Sequence, residues 1–206
     1  MTKILMFVVW ASGSCISAEL LGYWLHRLMH SGAIIFLSRN HMKHHLGIYG
    51  PQQEQRSERY QDATDKRFSL GNIGLEWLVP VSIFTTALLL IFHLAHVRWF
   101  HQLTYFVSVL SWSFVVFSYL HDAMHVRGAW LEKNRWLKNW FLAARHRHDV
   151  HHCHINDRGL MDKNFGIGMF IFDRLFGTIC DVPARFNIRG FKIAQERFKA
   201  VLNINP

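Results

Sequence analysis

Long apolar runs alternate with charged stretches along this chain, and the runs are the wrong length for strands. Between residues 4 and 26 the only charged side chain is Glu19, and residues 77–97 and 99–121 hold no Asp, Glu, Lys or Arg. Each run matches the ~20 residues that a helix needs to cross a hydrocarbon core. Three transmembrane helices are therefore expected, over about residues 4–30, 76–97 and 99–125. The first begins like a secretory signal, with Lys3 ahead of the apolar stretch and small residues from Ala11 to Ser14. Cleavage there would leave the histidine pair that follows on a short polar stub, so an uncut span is the reading adopted. Residues 45–70 are polar, carry Pro51 and read as a loop. Residues 131–145 read as an amphipathic helix lying at the membrane surface, with Trp130, Trp136 and Trp140 among its Lys and Arg. Residues 165–176 form a second short apolar element, interrupted by Asp173 and Arg174, that suits membrane contact and ordinary core equally.

The pattern specifies an all-α integral membrane protein: one domain over residues 1–206, with about three transmembrane helices, interfacial helices, and a cap built from residues 31–75 and 126–206. Charge sets its orientation. Residues 39–67 contribute six Lys or Arg and residues 127–199 contribute fourteen, whereas Lys3 and Arg98 mark the opposite side. By the positive-inside rule the cap is cytoplasmic, in a bacterial inner membrane or, in a eukaryote, the endoplasmic reticulum. The net charge of +9 then has a membrane origin, and with no nucleic-acid motif present no nucleic-acid partner is expected. Cys15, Cys153 and Cys180 have neither disulfide-framework nor metal-site spacing. Cys153, between His152 and His154, is either a bystander or an added ligand.

The chemistry lies in the histidines. Ten of the fifteen fall into four clusters: His26 and His30; His41, His44 and His45; His121 and His125; His148, His151 and His152. Residues four apart on a helix lie about 40° apart on one face, so each cluster is expected to aim its imidazoles at one point as a ligand set. The topology puts all four on the cytoplasmic side. Neutral imidazole suits iron, zinc, copper and nickel alike. Ten ligands exceed the needs of one ion and fit two ions of about five each. Zinc peptidases are excluded, because their HExxH places Glu after the first His, and here the pairs read His-Arg-Leu-Met-His and His-Asp-Ala-Met-His. A haem would leave eight histidines unexplained. A membrane metal transporter or metal store is the alternative of another class, although a transporter places ligands inside its spans, and the second and third hold almost none.

Glu19 is the one acid inside a span. It precedes His26 by seven residues, nearly two turns and ~10 Å deeper. An intramembrane acid points to function, here contact with a substrate headgroup or water handling in a pocket; the alternative is a protonated Glu19 bonded to Ser17 or a neighbouring helix. His93, His96 and His101 fall at the far turn, where interfacial roles are expected.

The order HxxxH, HxxHH, HxxxH, HxxHH, then Asn164-Phe165-Gly166 and Phe172-Asp173-Arg174-Leu175-Phe176-Gly177-Thr178, resembles the fatty acid hydroxylase and sterol desaturase superfamily from about Leu21 to Thr178. The small size and the His-Asp-x-x-His form also resemble the carotenoid ring hydroxylases. The resemblance implies a membrane-bound non-haem di-iron oxygenase that uses O2 and external electrons to hydroxylate or desaturate a lipid hydrocarbon chain. The ten clustered histidines would hold two iron ions. Asp122, Asp149 and Asn164 are candidate partners that orient ring nitrogens, or else helix caps and surface polar groups. No electron-transfer segment and no GxGxxG is visible, so a separate donor of ferredoxin or cytochrome b5 type is expected, drawn to the basic face.

Overall fold

The computed structural model describes residues 3–61 and 78–202; the loop between them and the first two residues of the expected second span lie outside the described residues. The chain is helical, and among the described residues the only extended pairings are two isolated bridges, Ser57 with Val126 and Ile155 with Met161. Helix α1 runs Lys3–Ser31, and α2, Ile35–Lys43, continues into a π-helical turn at His44–Ile48. Helix α3 covers Leu78–Leu94. Helix α4, Trp99–Ser113, passes through a π-helical stretch, Phe114–Leu120, into α5, His121–Met124. Then come α6 (Trp130–Lys133), α7 (Lys138–Cys153), α8 (Ile171–Leu175), α9 (Ile188–Arg197) and α10 (Lys199–Leu202).

Two helices are long and apolar enough to cross a membrane, Ile4–Ser31 and the unbroken Trp99–Met124. Their apolar side chains point outward: Phe7, Val8, Ile16, Val107, Leu110 and Phe114 are all exposed. This is consistent with a membrane protein, since a core helix of a water-soluble fold would cover them. Helix α3 is apolar but, at 17 residues, falls short of that length.

Lipid gives apolar helices no reason to leave it for one another, so close packing depends on small residues that let backbones approach. Helix α1 supplies Ser14, Ala18 and Gly22 at a spacing of four. Ser14 and Ala18 are buried. Ala18 packs with Tyr105 and Val109 of α4 beneath Trp10 and Trp112. At Gly22 a Cβ would run into the Phe117 ring. Two further cores support the cap: Val116, Leu120, Met124, Leu131, Phe141 and Phe170 on one side, and Met42, Leu46, Ile155, Met161, Ala194 and Phe198 on the other.

The expected interfacial helix over residues 131–145 is broken. Asn134 stops it: its Oδ1 accepts from the amides of Trp136 at 3.0 Å and Leu137 at 3.1 Å, an Asx turn that ends α6 and starts α7. Trp130, Trp136 and Trp140 remain exposed, as a surface belt requires. Residues 165–170 are core rather than membrane contact, with Phe165, Ile167 and Phe170 buried. The intervening Asp173 is wholly buried instead of breaking the element at the surface.

Candidate metal centre

Four elements carry the histidines inward. The last turns of α1 bring His26 and His30, α2 with its π-turn brings His41, His44 and His45, α5 and its end bring His121 and His125, and α7 brings His148, His151 and His152. The clusters do not each aim at one point, as helical spacing alone suggests. They sort instead into two groups: His26, His30, His41, His45 and His151, and His44, His125, His148 and His152, each with its ring nitrogens within 4.8 Å of one another. Each HxxHH triplet is divided. His41 and His45 face one group while His44 faces the other; His148 and His152 face the second while His151 faces the first. Residues at i and i+4 share a direction, and the residue at i+3 diverges enough to reach the neighbouring group. The groups adjoin, with the rings of His45 and His152 centred 3.9 Å apart. His121 flanks the second group, its ring centred 4.8 Å from those of His44 and His148.

Hydrogen bonding fixes what these rings offer. His26 Nδ1 meets the Phe165 carbonyl at 2.6 Å, His125 Nδ1 that of Gln55 at 2.9 Å, His151 Nδ1 that of Lys163 at 2.6 Å, and His152 Nδ1 that of Tyr49 at 2.8 Å. A carbonyl only accepts, so each of these Nδ1 atoms carries the proton and each Nε2 presents a lone pair to the interior. In the second group the bare Nε2 atoms of His125 and His152 lie 3.0 and 3.1 Å from His148 Nε2, which has at most one proton to share between them. In the first, His30 Nε2 is met by His41 Nε2 at 2.9 Å and by the bare His151 Nε2 at 3.0 Å. Converging lone pairs with too few protons need a cation. His26 Nε2 and both nitrogens of His45 are buried with no hydrogen-bond partner, a costly state that coordination would relieve. Ligand nitrogens across an ion bonded at ~2.1 Å lie no more than about 4 Å apart, so a small contraction seats one ion in each group. The donor set fits two metal ions. Burial holds the imidazoles of His41, His44, His45, His148, His151 and His152 well below their usual range, so they stay neutral, as ligands must be.

Four of the rings are oriented by backbone carbonyls, which the sequence did not reveal, and two of the three expected side-chain partners bond elsewhere. Asn164, at φ 55°, bonds the backbone: its Nδ2 donates to the Arg147 carbonyl at 3.0 Å and the Cys180 carbonyl at 2.6 Å, and its Oδ1 accepts from the Cys180 amide at 2.7 Å. It staples the loop after α7 and touches no ring nitrogen. Asp149 pairs with Arg56. Asp122 does lie beside a ring, its Oδ1 3.7 Å from His121 Nδ1. The unexpected organiser is Asp173, whose carboxylate accepts from the amides of Phe165 and Gly166, both at 2.7 Å, and from Thr178 Oγ1 at 2.8 Å. It thereby presents the Phe165 carbonyl to His26. His154 pairs with Asp162 at 3.1 Å rather than joining either group, and neither group includes Cys153. Glu19 is 3 % exposed and accepts a hydrogen bond from Trp112 Nε1 at 2.9 Å, so its partner is a neighbouring helix and not Ser17, which bonds the Gly13 carbonyl.

Against known proteins, the family model for fatty acid hydroxylase matches residues 13–178, a span containing all ten clustered histidines and both following motifs. Neither the curated proteins nor the solved structures provide a match.

Proposed function

We propose, because the chain belongs to the fatty acid hydroxylase family, that it is a membrane-bound di-iron oxygenase that hydroxylates or desaturates a lipid hydrocarbon chain. One observation carries the reading: nine buried or nearly buried histidines from four elements converge as two adjoining groups whose lone pairs outnumber their protons. Bound iron would supply the activation of O2; for hydroxylation the balance is O2 + R–H + 2 e⁻ + 2 H⁺ → R–OH + H2O.

The chain's own residues prepare the rest. The carbonyls of Phe165, Lys163, Gln55 and Tyr49 hold four imidazoles in the Nδ1–H tautomer. Burial of the rings keeps bulk water from the reaction. Two apolar helices, α1 and the helix over residues 99–124, end at the histidines, so an acyl chain in the bilayer reaches them from the membrane side. A third span that includes α3, a cap facing the cytoplasm, and two electrons per turnover from a separate protein belong to this reading. The positive charges of the cap support that side.

The test joins elemental analysis to lipid mass spectrometry. Purified protein should hold two iron ions, and His44→Ala, His125→Ala and His151→Ala should each lower that number. Cells carrying the gene should contain a lipid with one more oxygen, or two fewer hydrogens, that disappears with each variant. Wild-type stoichiometry near zero or one, or a value untouched by all three changes, overturns the reading.

A further inference from the structure

The two histidine groups differ in the rings that border them. Phe165 stands beside the first, centred 5.7 Å from the rings of His26 and His151 and 6.0 Å from His30. Two tyrosines stand beside the second. Tyr49 is fully buried and lies nearly parallel on His125, centroids 4.0 Å apart at 21°. Tyr60 packs beside Tyr49 at 5.9 Å and 24° and itself borders the group, centred 6.2 Å from His125 and 6.3 Å from His44. Unlike Tyr49, Tyr60 is only half-buried. The three rings form a triangle in which both tyrosines border His125, and Tyr60 extends the group to the surface.

Tyr49 is held at its backbone and at its phenol. The Tyr49 carbonyl accepts from His152 Nδ1 at 2.8 Å, and its phenol oxygen accepts from the Gln61 amide at 2.8 Å. Packing alone would not require one residue to fix a second histidine while stacking on a first. A further aromatic path leaves Phe165 through Tyr23, at 5.6 Å, to Trp24, at 5.5 Å, and on to Phe176, 5.4 Å from Trp24, but ends among the exposed apolar side chains of α1 and α8. A water-soluble donor cannot dock there.

We propose that Tyr60, with Tyr49 packed beside it on His125, is the route by which electrons from the external donor reach the metal centre, through the four-histidine side. This rests on the oxygenase reading above. Electron tunnelling weakens steeply with distance through saturated chain, and stacked π-systems shorten the saturated gaps. No bond forms or breaks in either tyrosine: each transfer oxidises the donor by one electron and reduces the centre by one, and two transfers meet the demand of one turnover. The donor is a one-electron carrier that docks over Tyr60.

The experiment uses the full-length, iron-loaded protein, oxidised and then mixed under argon with dithionite, with the loss of the centre's absorbance followed in a stopped-flow instrument. Iron content is measured first on every sample. Tyr60→Leu should keep wild-type iron and be reduced roughly tenfold more slowly, Tyr60→Phe should stay close to wild type, and Trp24→Leu should be unchanged. Tyr60→Leu reduced at the wild-type rate overturns the proposal, as does equal slowing by Trp24→Leu. Iron loss in Tyr60→Leu also overturns it, by making Tyr60 a support for the site. A wild type that holds no iron fails at the first measurement and counts against the oxygenase reading instead.

Discussion

Asp173 has no place among the ligands, yet it decides where one of them points. Its carboxylate satisfies two backbone amides and a hydroxyl in a site with no access to water, and leaving a buried donor unsatisfied costs ~1–3 kcal/mol. Asp173→Ala should therefore lower the unfolding temperature and weaken iron binding together, as measured by thermal denaturation and by iron retention against a chelator, with Asp173→Asn intermediate. Unchanged iron retention would show that the Phe165 carbonyl holds its place on His26 without help. Glu19 makes the opposite prediction. Glu19→Gln keeps an acceptor for Trp112 and removes the acid, so iron content should match wild type while turnover or the position of oxygenation changes. Iron loss as complete as in a histidine variant would contradict a role in substrate handling, and wild-type activity would assign Glu19 to helix packing. The histidines were legible in the sequence because only a few side chains bind metals and their spacing is periodic. The carbonyls that orient them were not, because every residue offers one.

At the scale of elements, spacing told which residues share a face but not how a face divides. The HxxHH triplets read as single ligand sets, whereas the structure splits both by the angle between i+3 and i+4. Among the described residues, one π-helical segment holds His44 and His45 and another ends just before His121. Such segments are common at functional sites and have no simple sequence signature. The apolar runs over residues 4–30 and 99–125 were legible because only a helix satisfies a backbone in lipid. The break at Asn134 was masked by continuous amphipathic periodicity on either side. Gly22 offers a test of the α1–α4 contact. Gly22→Ala should destabilise the protein in detergent by ~1–3 kcal/mol, because the added methyl displaces the Phe117 ring. Gly13→Ala meets nothing within 4 Å and serves as its control, with little effect expected on chemical denaturation.

At the scale of the whole molecule, the proposed cytoplasmic cap rests on charge and span count together. Reporter fusions at Arg98 and after Pro206 should report opposite sides of the membrane, with the C-terminal fusion cytoplasmic. Equal signals would mean an even number of crossings between them, so that the three-span count is wrong and the histidine clusters do not share a compartment. The division of the triplets carries a different consequence. Since α2 with its π-turn and α7 each donate to both histidine groups, the two groups share their supports. In the di-iron reading, the first ion to bind would clamp both helices and so prepare the place for the second, which is positive cooperativity between the two sites. Uptake of metal should then be sigmoidal, and a cell short of iron would hold a mixture of empty and complete molecules, with few stalled at one ion.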